Sequence, residues 1–134
     1  MNILDTLRRI VQKVNAAEGL EQALGIIVHR VRHALDLDVC SVYLVDPGTD
    51  TLVLRATEGL NKEAAGKVRL RFSEGLTGLV AERAEPVNLD NAPDHPRYKY
   101  FPETGEERYH AFLGVPIIHQ RRLVGVIVAQ QHEE

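Results

Sequence analysis

The segment LVGVIVAQ (123–130) is apolar at odd and even positions alike, and this constrains the fold more than any other feature of the chain. Successive side chains of a strand point to opposite faces, so a strand apolar on both must be covered on both. HAFLGVPII (110–118) behaves the same way: Ala111, Leu113, Val115 and Ile117 oppose Phe112, Gly114 and Ile118. In VCSVYLVD (39–46), Cys40, Val42 and Leu44 face one way and Val39, Ser41, Tyr43 and Val45 the other. TLVLRAT (51–57), KVRLRF (67–72) and PVNL (86–89) complete six strand-like runs. Asp46-Pro47-Gly48-Thr49-Asp50 is a turn between the first two runs, and His119-Gln120-Arg121-Arg122 a tight turn between the last two. Short strands joined by hairpins predict an antiparallel sheet that needs a layer on each side, an α+β arrangement.

Two N-terminal helices supply one layer. Ile3, Leu4, Leu7, Ile10, Val11 and Val14 mark an amphipathic helix over 2–16. Glu18-Gly19 interrupts it, and Leu20, Ala23, Leu24, Ile27, Val31 and Leu35 mark a second helix ending near Asp36. The other layer must come from FSEGLTGLVAERAEPVNLDNAPDHPRY (72–98). Leu76, Leu79 and Val80 recur at helical spacing, Ser73 can cap the start, and Pro86 lies just past the end, giving a helix over 76–84. Gly75 and Gly78 weaken such a helix by about 1 kcal/mol each relative to Ala, so they imply close backbone approach. This helix and the polar 90–110 loop form a lid on the sheet, a natural place for a small-molecule cavity.

At 134 residues the chain is one domain, able to bury roughly two-thirds of its unfolded surface. A net charge of −3 gives no nucleic-acid surface, since Arg8, Arg9, Arg121 and Arg122 form only local pairs. Asp5, Arg8 and Arg9 break up the N-terminus, so no signal segment is expected, and no run is long enough to span a bilayer. One cysteine excludes an intrachain disulfide and suits the cytoplasm.

EGLTGLVAERAEPVNLDNAPDHPRY (74–98) followed by FLGVPIIHQRRLVGVIVAQ (112–130) resembles the GAF domain, a small-ligand sensory module. VCSVYLVD, HPRYKY (95–100) and EERYHAFLGVPII (106–118) are similar in particular to the N-terminal GAF domains of nitrogen-type phosphoenolpyruvate–protein phosphotransferases. The resemblance implies a six-stranded antiparallel sheet with a pocket beneath the small helix and the loop after the fourth strand. It implies a sensor of nitrogen status, through glutamine and 2-oxoglutarate. Such a sensor regulates autophosphorylation, from phosphoenolpyruvate, of a histidine in a separate downstream domain. It brings no cofactor. The family places another helix after the last strand, whereas this sequence stops at Gln131-His132-Glu133-Glu134, so a fragment lacking that helix is expected.

Cys40 could be a redox nucleophile, as in GAF proteins that act on methionine sulfoxide, but no second cysteine is present to resolve it. Among Val42 and Leu44 a thiol behaves as a small hydrophobe. His29 and His33 stand i, i+4 on one helix, a spacing that can bind metal, yet no third ligand accompanies them, and a solvated pair is the plainer role. Glu107 and His110 have Glu-x-x-His spacing only once, and His95 is expected to buttress its loop. No metal site is expected. Bilin attachment lacks its cysteine, and the cyclic-nucleotide signature is absent.

Ligand-binding candidates lie on the lid side. Ser41 and Tyr43 offer hydroxyls, whose plainer role is a bond to nearby backbone, and Thr57 and Glu58 end the second strand at the rim. Amides at Gly75, Leu76 and Thr77 make an anion site at a helix N-terminus. Asn91, Arg97, Tyr98, Arg108 and Tyr109 lie on the loop, with Arg97 and Arg108 suited to a dicarboxylate and Asn91 also a plain turn residue. Without the last helix, the stripe Ile3, Leu4, Leu7, Ile10, Val11 and Val14 loses cover worth roughly 1.5–3 kcal/mol per fully buried side chain. A homodimer pairing these helices, and in part the 20–35 helix, is therefore expected, as the resemblance also implies.

Overall fold

The computed structural model describes residues 3–4, 17–99 and 109–132. The expected 2–16 helix lies outside the described residues except for Ile3 and Leu4, which are helical and pack on the core. Helix α1 spans Ala17–Ala34, so Gly19, expected in an interruption, instead falls in its first turn. The glycine's propensity cost of about 1 kcal/mol is small beside the burial of one apolar stripe. That stripe is Leu24, Ile27, Val28 and Val31. The helix ends where Asp36 turns left-handed (φ 53°) and the Leu37 N–H returns to the Arg32 carbonyl at 2.9 Å.

Six strands follow: β1 (Val39–Val45), β2 (Thr51–Glu58), β3 (Arg69–Arg71), β4 (Val87–Leu89), β5 (Ala111–His119) and β6 (Arg122–Gln131). They form one antiparallel sheet in the order β3-β2-β1-β6-β5-β4. All six expected runs are strands, and the last, β6, lies in the middle of the sheet. It turns back from β5 through Gln120 and Arg121, both at positive φ (50° and 65°), the backbone of a type I′ hairpin. Both sheet faces are apolar and covered. Cys40, Val42, Ala56 and Ile117 meet α1, whereas Tyr43, Leu52, Leu54, Phe112, Val126 and Val128 meet helix α2 (Gly75–Arg83) through Leu76, Leu79 and Val80. Cover is incomplete on β5, where Leu113 and Ile118 are each 40% exposed.

Helix α2 starts one residue earlier than its spacing predicts, and Ser73 does not cap it. The residue ahead of the helix is Glu74, which makes no capping bond; its Oε1 accepts the Arg71 N–H instead, at 3.0 Å. The chain enters α2 through Gly75 at φ 66°, a conformation other residues resist. Close approach explains the second glycine, since a Cβ on Gly78 would lie 2.6 Å from the Arg71 carbonyl oxygen. Gly114 of β5 does the same from below, leaving room for the Val80 side chain. No described helix is long and apolar enough to cross a membrane.

Candidate functional site

The lid residues meet the sheet around a small cavity. Tyr43 of β1, Phe112 of β5 and Gln130 of β6 form its floor, Leu76 and Thr77 of α2 one wall, and Tyr98 and Lys99 of the loop another. Its volume is about 30 Å³, room for about one water and far below the several hundred Å³ of metabolite pockets. A metabolite would enter only with movement of the loop. The chemistry around it is nonetheless mixed: three aromatic rings, the hydroxyls of Tyr43, Thr77 and Tyr98, an ammonium and a carboxamide beside the first amides of a helix, which have no partner inside it.

The loop is strapped to α2 by ion pairs. The Arg97 guanidinium donates to Glu82 Oε2 at 2.9 Å and to the Phe72 carbonyl at 3.0 Å, and Lys99 Nζ donates to Glu74 Oε2 at 2.7 Å. The Lys99 ammonium, helped by the Arg71 N–H, holds the Glu74 carboxyl below the usual carboxylate range. His95 Nδ1 accepts the Arg97 N–H at 3.0 Å, the buttressing role expected of it. Asn91 donates to Asp94 Oδ2 at 2.7 Å inside a short 3-10 turn.

Of the residues singled out from sequence, Tyr43, Leu76, Thr77 and Tyr98 line the cavity, with Gly75 buried beside them. Arg97 is not part of the lining, and its guanidinium is engaged by Glu82 and the Phe72 carbonyl. Ser41 and Thr57 are buried and hydrogen-bonded to each other at 2.9 Å, hydroxyl to hydroxyl across β1 and β2. Tyr109 packs with Val39 and Leu60 and stacks on His132, 4.5 Å between ring centres. Arg108 lies outside the described residues.

Glu58 is placed elsewhere altogether. Val42 pairs with Ala56 but Tyr43 with Leu54, so Arg55 is an extra residue, a β-bulge. Plain alternation from Leu52 and Leu54 would put Glu58 on the lid face; the bulge inverts the phase and turns it toward α1. There its Oε1 lies 3.0 Å from His29 Nδ1 and 3.5 Å from Arg32, with Oε2 3.3 Å from Lys62. The His29 hydrogen bond and then Lys62 hold the carboxyl below its usual range against the opposing effect of partial burial. Glu58, His29 and Lys62 border a groove of about 610 Å³ between α1 and β2, lined also by Gln22, Ile26 and Ala65. Sequence reasoning missed this groove, because nothing in the spacing announces a bulge at an arginine.

Cys40 sits under α1 with no exposed surface, and burial pushes its thiol up to about 12. A thiol so placed carries almost no thiolate at neutral pH.

A six-stranded antiparallel sheet with helices on one face and a short helix plus loop closing the other is a GAF-like architecture. The chain belongs to the GAF domain family, whose model matches residues 19–134. It is 56% identical to the GAF domain from a phosphoenolpyruvate-protein phosphotransferase (ptsP) of Coxiella burnetii, with a TM-score of 0.80 over 99% of this chain and 79% of that one. It is 50% identical over 121 residues to the phosphoenolpyruvate-dependent phosphotransferase system protein of Escherichia coli K12, covering 90% of this chain and 16% of that protein. A more distant relative is the Nif-specific regulatory protein of Azospirillum lipoferum, 28% identical over 91% of this chain and 20% of that protein. The chain thus spans about a sixth of the length of its curated phosphotransferase relative.

Proposed function

We propose that this domain is the non-catalytic regulatory sensor of a larger, cytoplasmic phosphoenolpyruvate–protein phosphotransferase. In this reading it binds a nitrogen-status metabolite, glutamine or 2-oxoglutarate, beneath the lid. Binding controls autophosphorylation of a histidine in downstream phosphotransferase domains. The observation that carries the reading is the lid cavity itself, closed by cation–carboxylate straps. A ligand carboxylate competes with Glu74 for Lys99, and with Glu82 for Arg97, so occupancy and loop position are linked. The name of the Azospirillum relative, Nif-specific regulatory protein, supports a regulatory role. The depressed reactivity of Cys40 speaks against the redox alternative.

Calorimetric titration with glutamine and 2-oxoglutarate tests the proposal. One of the two should bind saturably, and Tyr43→Ala should weaken it by about tenfold or more, the scale on which a lost anchoring contact acts. Absence of heat and of chemical-shift change with every amino acid and 2-oxo acid would leave only a dimerisation module. The homodimer belongs to the same proposal: Ile26 on α1 and Leu35 just past its end are 53% and 60% exposed, apolar surface of the kind a second copy would cover. Leu7→Glu should weaken self-association in light scattering, and a monodisperse wild-type monomer at high concentration would refute it.

A further inference from the structure

We infer that His29 and His33 of α1, together with Glu58 of β2, form a binding site for one divalent cation of the zinc, cobalt or nickel class. The two histidines are one helical turn apart, and their ring centres lie 4.3 Å from each other. Spacing alone offers two ligands, and two are few for a site. The fold adds the third, because the bulge at Arg55 brings Glu58 onto the face that carries the histidines. One ligand atom from each of the three residues falls within 4.8 Å of the others. Around a tetrahedral zinc with bonds of about 2.1 Å, ligand atoms stand about 3.4 Å apart, so the widest separation contracts by at most about 1.4 Å on binding, and His29 Nδ1 already lies 3.0 Å from Glu58 Oε1. Rotation of two exposed imidazole side chains supplies that contraction without moving the backbone.

The donor chemistry selects the cation. Two imidazole nitrogens and one carboxylate oxygen suit zinc, cobalt or nickel over calcium or magnesium, which prefer oxygen alone. The His29 side chain is 58% exposed, so the cation is reached from solvent and keeps positions for water. Arg32 and Lys62 compete for Glu58 at 3.5 and 3.3 Å. The Lys62 side chain is 75% exposed, and an ion pair so placed is weak and easily exchanged. The neighbouring positive charges lower the affinity but leave the ligands in place. Because the ligands come from a helix and a strand 25 or more residues apart in sequence, a bound cation pins α1 against β2.

The test uses the untagged chain, titrated with zinc chloride by calorimetry, with imidazole resonances followed in parallel. The expected result is one equivalent bound, with His29 and His33 perturbed. His33→Ala and Glu58→Gln should each lower affinity by about tenfold or more, on the scale of lost metal-site contacts. His119→Ala, on the β5–β6 turn, should bind as wild type. The His33 side chain is exposed and makes no hydrogen bond among the described residues; its backbone carbonyl accepts the Asp36 N–H, and alanine keeps that carbonyl, so the alanine variant should fold normally. Zinc binding unchanged in His33→Ala, weakened equally in His119→Ala, or absent from the wild type would each overturn the site.

Discussion

Two backbone positions in and just after α2 carry opposite costs, and exchanging the residue types exposes both. A Cβ on Gly78 would meet the backbone carbonyl oxygens of Arg71 and Phe72 at 2.6 and 2.9 Å, and neither can rotate away. Overpacking of this kind costs about 1–3 kcal/mol, more than the roughly 1 kcal/mol that Ala gains over Gly in a helix. Gly78→Ala should therefore lower stability by on the order of 1 kcal/mol in urea denaturation, and an unchanged midpoint would contradict the contact. Ala84, one residue past the helix, has the reverse problem, sitting left-handed at φ 52°, ψ 37° and exposed. That conformation costs a non-glycine residue about 1–2 kcal/mol, partly offset by the stiffer unfolded chain. Ala84→Gly should raise stability by up to about 1 kcal/mol, and a loss of stability would show that the strain is absent.

At the scale of elements, the α2 helix and its loop are joined through Glu74, which takes an N–H from β3 and an ammonium from Lys99. Its folded carboxyl is depressed, so this stabilisation is present above the unfolded pKa of about 4.3 and is lost as pH falls through the folded value. Removing the ammonium in Lys99→Ala should flatten the fall in stability between about pH 5 and pH 3, the range over which such carboxyls protonate. Denaturation across that range measures it, and identical wild-type and variant slopes would exclude the strap as a source of acid sensitivity. These elements were legible from sequence where periodicity reports burial directly. The doubly apolar β5 and β6 demanded cover on both faces, and Leu76, Leu79 and Val80 marked the helix that gives it. Ser73 misled because the helix starts at Gly75, which puts Glu74 in the capping position with its carboxylate turned to the Arg71 N–H. Ser41 and Thr57 could not be paired from sequence, since their meeting depends on register across β1 and β2. Glu58 could not be placed either, because one extra residue in β2 reverses the face of everything after it.

At the scale of the molecule, the sheet is held together by its last strand. β6 pairs with β1 on one side and β5 on the other, so without it the sheet divides into β3-β2-β1 and β5-β4. A chain ending at His119 should show neither dispersed amide resonances nor a cooperative urea transition; either signal would mean that the halves are stable alone. The same position governs how the domain is made in a cell. The ribosome releases the chain from its N-terminus at about 5–20 residues per second. β1 finds β2 within a few residues but waits for about 80 more before its other neighbour exists, several seconds in which that edge of Val39–Val45 stands unpaired beside other nascent chains. Protection of ribosome-bound chains from protease should appear in one step, when Gln131 clears the exit tunnel, and translation speed through β5 and β6 should set how often the domain aggregates before it closes.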